Sequence, residues 1–160
     1  MPSETLIDVY DHIADRDEKD IWVRLHFNCD REYVRVRSTR GDDARLTIHI
    51  PGGEDLFVRV PGWAPADSVK LLVGGKPAPI RRQGTYVTVP GSSDGLQVEL
   101  RYALPRGTTT ETSRMQYYHT PARPFGPATK PYKYTLHWRG DEVIAASPVQ
   151  DYFPLYPAHP

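Results

Sequence analysis

The stretch LFVRVPGWAPADSVKLLV, residues 56–73, decides the fold of this chain. Leu56, Val58 and Val60 alternate with Phe57 and Arg59, the period-two pattern of a strand with one face in a core. Pro61-Gly62 then stops the strand. Proline presets the φ needed at the second position of a tight turn, and glycine accepts the positive φ that a type II turn demands at the third. Trp63 follows at the lip of the strand, where a large ring can cover one end of a core. After the loop APADS the alternation resumes at Val69, Leu71 and Val73, and Gly74-Gly75 is a two-residue hairpin signal. The unit reads as strand, corner, strand, hairpin.

Toward the N-terminus, RLTIHI sets Leu46, Ile48 and Ile50 on one face before Pro51-Gly52-Gly53 ends the run. YVRVRS alternates through Val34 and Val36, and IWVRLHFN sets Ile21, Val23, Leu25 and Phe27 against Trp22, Arg24, His26 and Asn28. The link at 28–32 is short, so these last two are expected to pair antiparallel. ADRDEKD, residues 14–20, reads as a solvated acidic connection. Residues 5–14 admit either state: Leu6, Val9, Tyr10 and Ile13 have helical spacing, while their β-branched and aromatic content would permit a strand.

Toward the C-terminus, Pro77 and Pro79 make KPAPI an edge strand or a loop. TYVTV puts Tyr86 and Thr88 on one face and Val87 and Val89 on the other, and LQVELRYAL alternates through Leu96, Val98, Leu100, Tyr102 and Leu104. Residues 105–131 carry many prolines and little alternation, the composition of a long surface loop. YKYTLHW and EVIAAS form a last hairpin about Arg139-Gly140-Asp141. The tail from 147 is too rich in proline for a ladder, although Tyr152, Phe153, Leu155 and Tyr156 want cover.

Turn signals recurring about every 8–12 residues predict an all-β chain, an antiparallel β-sandwich of jelly-roll-like form with a long proline-rich loop. Its expected organisation is an N-terminal segment at 1–20, a sandwich core at 21–104, the loop at 105–131, and a final hairpin and tail of the same domain at 132–160.

At 160 residues the chain suits one domain, or one domain with extended ends. Acidic and basic residues balance at 20 each, so no overall field draws it to nucleic acid or an anionic membrane, and neither is an expected partner. No apolar run approaches membrane-spanning length. The opening MPSETLIDVYDH lacks the basic region and apolar run of a secretory signal, which predicts a cytoplasmic location if Met1 is the true start. Cys29 is the single cysteine, so an intrachain disulfide is impossible and a small buried or half-buried thiol is expected. The six histidines lack metal-ligand spacing, and His26, His49 and His137 are expected to point outward from their strands. Asp and Glu gather in turns, where no pair stands out as glycosidase carboxylates. There is neither a Gly-x-Ser-x-Gly elbow nor a phosphate-cradling glycine loop. No catalytic, cofactor-binding or metal residue is therefore assigned, and no cofactor is expected. Arg139-Gly140-Asp141 is read as a turn rather than an adhesive tripeptide. Trp22, Trp63, Tyr117 and Tyr118 are the candidates for contact with a glycan or a neighbouring domain.

The order IWVRLHFN, VPGW, VGGKP, GTYVTV and WRGDEVIAASP resembles the β-sandwich region that follows the helical barrel in glycoside hydrolase family 127 and related β-L-arabinofuranosidase-like proteins. Those proteins often carry a Trp-Val-Asn-Leu-Tyr-x-Asn strand, an Ile-Pro-x-Trp corner, a Val-Asn-Gly-Lys-Pro hairpin and a Gly-x-Tyr strand. Here these correspond to residues 22–28, 60–63, 73–77, and Gly84 with Tyr86. Gly74 stands where the family usually has asparagine, Arg24 replaces a common asparagine, and the 105–131 loop is unusually long. The resemblance implies that activity resides in an (α/α)6 barrel upstream, where a zinc-bound cysteine and glutamates act on the arabinofuranoside. Residues 1–160 carry none of those motifs, and Cys29 matches no catalytic cysteine motif. The implied role is a non-catalytic accessory sandwich whose partner is the barrel of a parent enzyme. The alternatives are an independent carbohydrate-binding module and a structural or oligomerisation domain.

Overall fold

The computed structural model describes residues 9–113 and 132–147. The chain divides into two compact units, Met1–Leu104 and Pro105–Pro160. In the first unit, strands β1 (Ala14–Arg16), β2 (Asp20–Val23), β6 (Asp55–Arg59), β10 (Tyr86–Val89) and β9 (Arg81–Gln83) make one sheet in the order β1-β2-β6-β10-β9. Strands β3 (Cys29–Asp30), β4 (Arg35–Arg40), β5 (Asp43–Ile50), β11 (Leu96–Ala103), β7 (Lys70–Val73) and β8 (Lys76–Pro77) make the other, in the order β3-β4-β5-β11-β7-β8. The inward positions of both sheets merge in one core: Ile21, Val23, Leu56, Val58, Val87 and Val89 from the first, with Val36, Leu46, Ile48, Leu71, Val98, Leu100 and Tyr102 from the second. Burying each aliphatic side chain here stabilises the fold by about 1.5–3 kcal/mol. The expected all-β sandwich is thus the architecture of this unit.

The 56–73 unit behaves largely as its pattern predicts. Leu56 and Val58 are buried on β6, Val60 is buried just past its end, and Leu71 is buried on β7. Because β6 and β7 lie in different sheets, the corner between them carries the chain from one sheet to the other. Trp63 packs on the core with its ring edge toward Tyr102, centroids 5.8 Å apart. The turn itself differs from the type II expectation. The Ala64 N–H donates to the Pro61 carbonyl at 3.0 Å, so Gly62 and Trp63 are its central residues, and Gly62 is not among the glycines with positive φ. The Gly74-Gly75 hairpin does use positive φ, 56° and 77°, and joins β7 to the edge strand β8.

Other expectations are corrected. IWVRLHFN does not pair with YVRVRS. β2 pairs antiparallel with β1 and parallel with β6, while β4 pairs with β3 and β5 in the opposite sheet. The strand also stops at Val23, because the N–H groups of Arg24 and Leu25 turn to the carbonyl of Ile13, at 2.9 and 3.3 Å. Residues 24–28 therefore lose their alternation: Phe27, expected inward, is 56% exposed, and His26, expected outward, is drawn between the sheets. ADRDEKD is not simply a loop, since Ala14–Arg16 is a strand and Asp20 opens β2. Residues 9–11, within the segment that admitted either state, are helical.

The second unit is a three-stranded sheet of β12 (Arg106–Ser113), β13 (Tyr132–Arg139) and β14 (Glu142–Ser147), in that order and antiparallel. Arg139-Gly140-Asp141 is the turn between β13 and β14, with Gly140 at φ 61°. β12 corrects the loop expectation over its first residues. Its GTTTET run is β-competent through the branched threonines yet polar throughout, so no alternation marks it. The rest of that expected loop, at 114–131, and the tail at 148–160 lie outside the described residues.

A candidate functional site on the outer face of the first sheet

Because strand side chains alternate, the residues between the core positions of β1, β2, β6 and β10 share the outer face of their sheet. Register sets Asp15 beside Trp22, Trp22 beside Phe57, and Phe57 beside Thr88. Trp22 and Phe57 stack nearly parallel, ring centroids 4.1 Å apart and 13° between planes. Tyr86 meets Trp22 at right angles, at 5.0 Å and 87°. Such pairs add about 0.5–1.5 kcal/mol beyond the area they bury.

Phe57 occupies the β6 side of the indole, so the other indole face looks toward β1. On that side Asp15 accepts a hydrogen bond from Arg24 Nε at 2.5 Å, and the Arg24 guanidinium carbon lies 5.9 Å from the indole centroid. Arg24 thus stands over the indole at the far end of cation–π range. The hydrogen bond to Asp15 outweighs burial and holds the Arg24 guanidinium above the ordinary arginine range. Arg16 pairs with Glu54 at 2.5 Å, and the Asp17 carboxylate accepts the Glu18 N–H at 2.5 Å. Asp15, Arg16, Asp17, Trp22, Arg24 and Tyr86 together line an open groove of ≈ 550 Å³.

Of the four aromatic candidates, Trp22 lines this groove, Trp63 is spent on the core beside Tyr102, and Tyr117 and Tyr118 lie outside the described residues. The groove's other members escaped the sequence reading. Asp15, Arg16 and Asp17 are hidden in an acidic run that looks like a connection. Tyr86, and Phe57 behind Trp22, did leave a signal: they are aromatic at outward positions of strands, where a wet sheet face calls for polar side chains.

Cys29 is 2% exposed, facing the core from β3, so its thiol is a packing group. No group of three or more His, Cys, Asp or Glu able to hold a metal occurs among the described residues. His26 joins the two sheets. Its Nε2 lies 2.7 Å from the Arg59 carbonyl, which can only accept, so in the neutral ring Nε2 carries the proton and Nδ1 accepts from the Tyr102 hydroxyl at 2.5 Å. Opposite, on the outer face of the second sheet, Glu99 is clamped by Arg45 and Arg101. Burial raises its pKa, and the two arginine hydrogen bonds more than offset this, leaving it below the ordinary glutamate range.

No family model matches this sequence, and neither does any curated protein. Among solved structures the chain is similar to one described as a glycoside hydrolase, at 20% identity and a TM-score of 0.48, covering 66% of this chain and 20% of that one. It is also similar to a GH127 beta-L-arabinofuranosidase from Geobacillus stearothermophilus T6, at 11% identity and a TM-score of 0.49, covering 86% of this chain and 33% of that one.

Proposed function

We propose that residues 1–160 are a non-catalytic accessory β-sandwich of a glycoside hydrolase family 127-like enzyme, seated on a catalytic helical barrel encoded outside these residues. The observation that carries this reading is the shared order of four motifs, each with its own physical task in the fold. Trp22 anchors the outer aromatic row on β2, and residues 60–63 turn the chain from one sheet toward the other. Gly74 and Gly75 supply the two positive φ values of the β7–β8 hairpin. Gly84 supplies another, at 59°, just before Tyr86 opens β10. The burial of Cys29 also supports a supporting role, because a thiol closed in an apolar core is out of a substrate's reach.

The test is to read the DNA upstream of the codon for Met1 in frame and to express the product with and without residues 1–160. A continuous frame encoding a helical barrel, whose thermal midpoint falls when residues 1–160 are removed, is the expected result. A stop codon and ribosome-binding site directly before Met1, or hydrolysis of arabinofuranosides by residues 1–160 alone, would overturn the reading.

A further inference from the structure

We propose that the groove between Trp22 and edge strand β1 is a binding site for a neutral sugar, one furanose or pyranose ring of a glycan. This deepens the accessory-domain reading and rests on it for the class of ligand. A sugar ring makes two opposite demands, an apolar surface for its C–H face and planar polar groups for its hydroxyl edge. The groove meets both. Phe57 holds the indole of Trp22 from behind, at 4.1 Å, and Trp22 lines the groove with the Arg24 guanidinium over its ring, 5.9 Å from the centroid. Asp15, Arg16 and Asp17 line it too, and Asp15 accepts a hydrogen bond from Arg24.

The charges decide what kind of ligand fits. The lining holds two carboxylates, Asp15 and Asp17, and two guanidinium groups, Arg16 and Arg24, so it is neutral in sum and favours neither an anion nor a cation. The same four groups disfavour a wholly apolar ligand, whose entry would strip them of water without replacing its hydrogen bonds. A polyhydroxylated neutral ring does replace them: carboxylates accept from hydroxyls, and a guanidinium donates to two vicinal oxygens at once. At ≈ 550 Å³ the groove falls within the range of about 300–1,000 Å³ usual for small-molecule sites. β1 is only three residues long and lies at the edge of its sheet, so the groove opens past it and a longer chain could continue outward from the bound ring.

The test uses the whole chain, labelled with 15N and titrated with methyl α-L-arabinofuranoside, methyl β-D-galactopyranoside, methyl β-D-xylopyranoside and, as a flat aromatic rival, adenosine. Saturable shifts of the Trp22 indole N–H and the amides of residues 15–17 are expected with at least one glycoside, while the indole signals of Trp63 and Trp138 stay in place. Trp22→Ala is expected to weaken binding about 10-fold or more, and Trp22→Phe, which keeps a ring on Phe57, to hold it within about 3-fold. Absence of saturable shifts with every glycoside up to about 50 mM overturns the proposal, as does binding of adenosine alone. The wild-type titration distinguishes these outcomes even if a variant fails to fold. If no glycoside binds while a barrel is encoded upstream, the sugar site falls and the accessory reading stands.

Discussion

The bond between His26 and Tyr102 shows how a single side chain can be misplaced by a correct pattern. Period-two alternation puts His26 outward only while the strand lasts, and β2 ends at Val23. Beyond that point Ile13 captures the next two N–H groups, and the chain rotates His26 into the gap between the sheets. There it ties the Tyr102 hydroxyl, on a side chain only 1% exposed, to the main chain at the end of β6. Removing the hydroxyl takes away the donor to Nδ1 without changing the ring that fills the core. Tyr102→Phe is therefore expected to destabilise the protein by roughly 1–2 kcal/mol, read as a lowered urea midpoint with an unchanged slope. An unchanged midpoint would mean that the bond contributes nothing to holding the sheets together.

At the scale of elements, the glycine of the corner and that of the hairpin after it separate cleanly. Gly74 adopts a φ of 56°, which costs a residue with a Cβ about 1–2 kcal/mol, whereas Gly62 has an ordinary backbone and open space where a Cβ would stand. Gly74→Ala is expected to lower stability by about 1–2 kcal/mol, and Gly62→Ala to stay within about 0.5 kcal/mol of the parent, both by equilibrium denaturation. Equal losses would show that the corner, too, needs glycine. The sequence pattern located the strands with one face in the core, β5, β6, β10 and β11, because burial on one side imprints alternation on the chain. It did not reveal partners: β2 meets β6 rather than β4, since pairing depends on which strand edge lies nearby in space. β12 stayed hidden for the opposite reason, a threonine run that no buried face had marked. The candidate groove was half legible, through the outward aromatics Trp22, Phe57 and Tyr86, and half hidden in the charges of β1.

Taken whole, the first unit is two sheets closed over one core, with most of its strand pairs antiparallel and one parallel seam, β2 against β6. That seam joins Ile21 to Leu56 and Val23 to Val58, and the chain between them contributes β3, β4 and β5 to the other sheet before it returns. A hairpin such as β4–β5 can zip from its own turn, but a parallel pair has no turn to start from and must wait for the intervening segment to settle. In pulsed hydrogen exchange during refolding, the β4–β5 amides are expected to gain protection before those of the β2–β6 seam. Simultaneous protection would point to a single concerted step instead. Until the seam closes, β6 offers a bare edge carrying Leu56, Phe57 and Val58, a template that a second unfinished chain can join. The strand at the centre of the finished sheet is thus, for the duration of folding, the place where this protein is most open to aggregation.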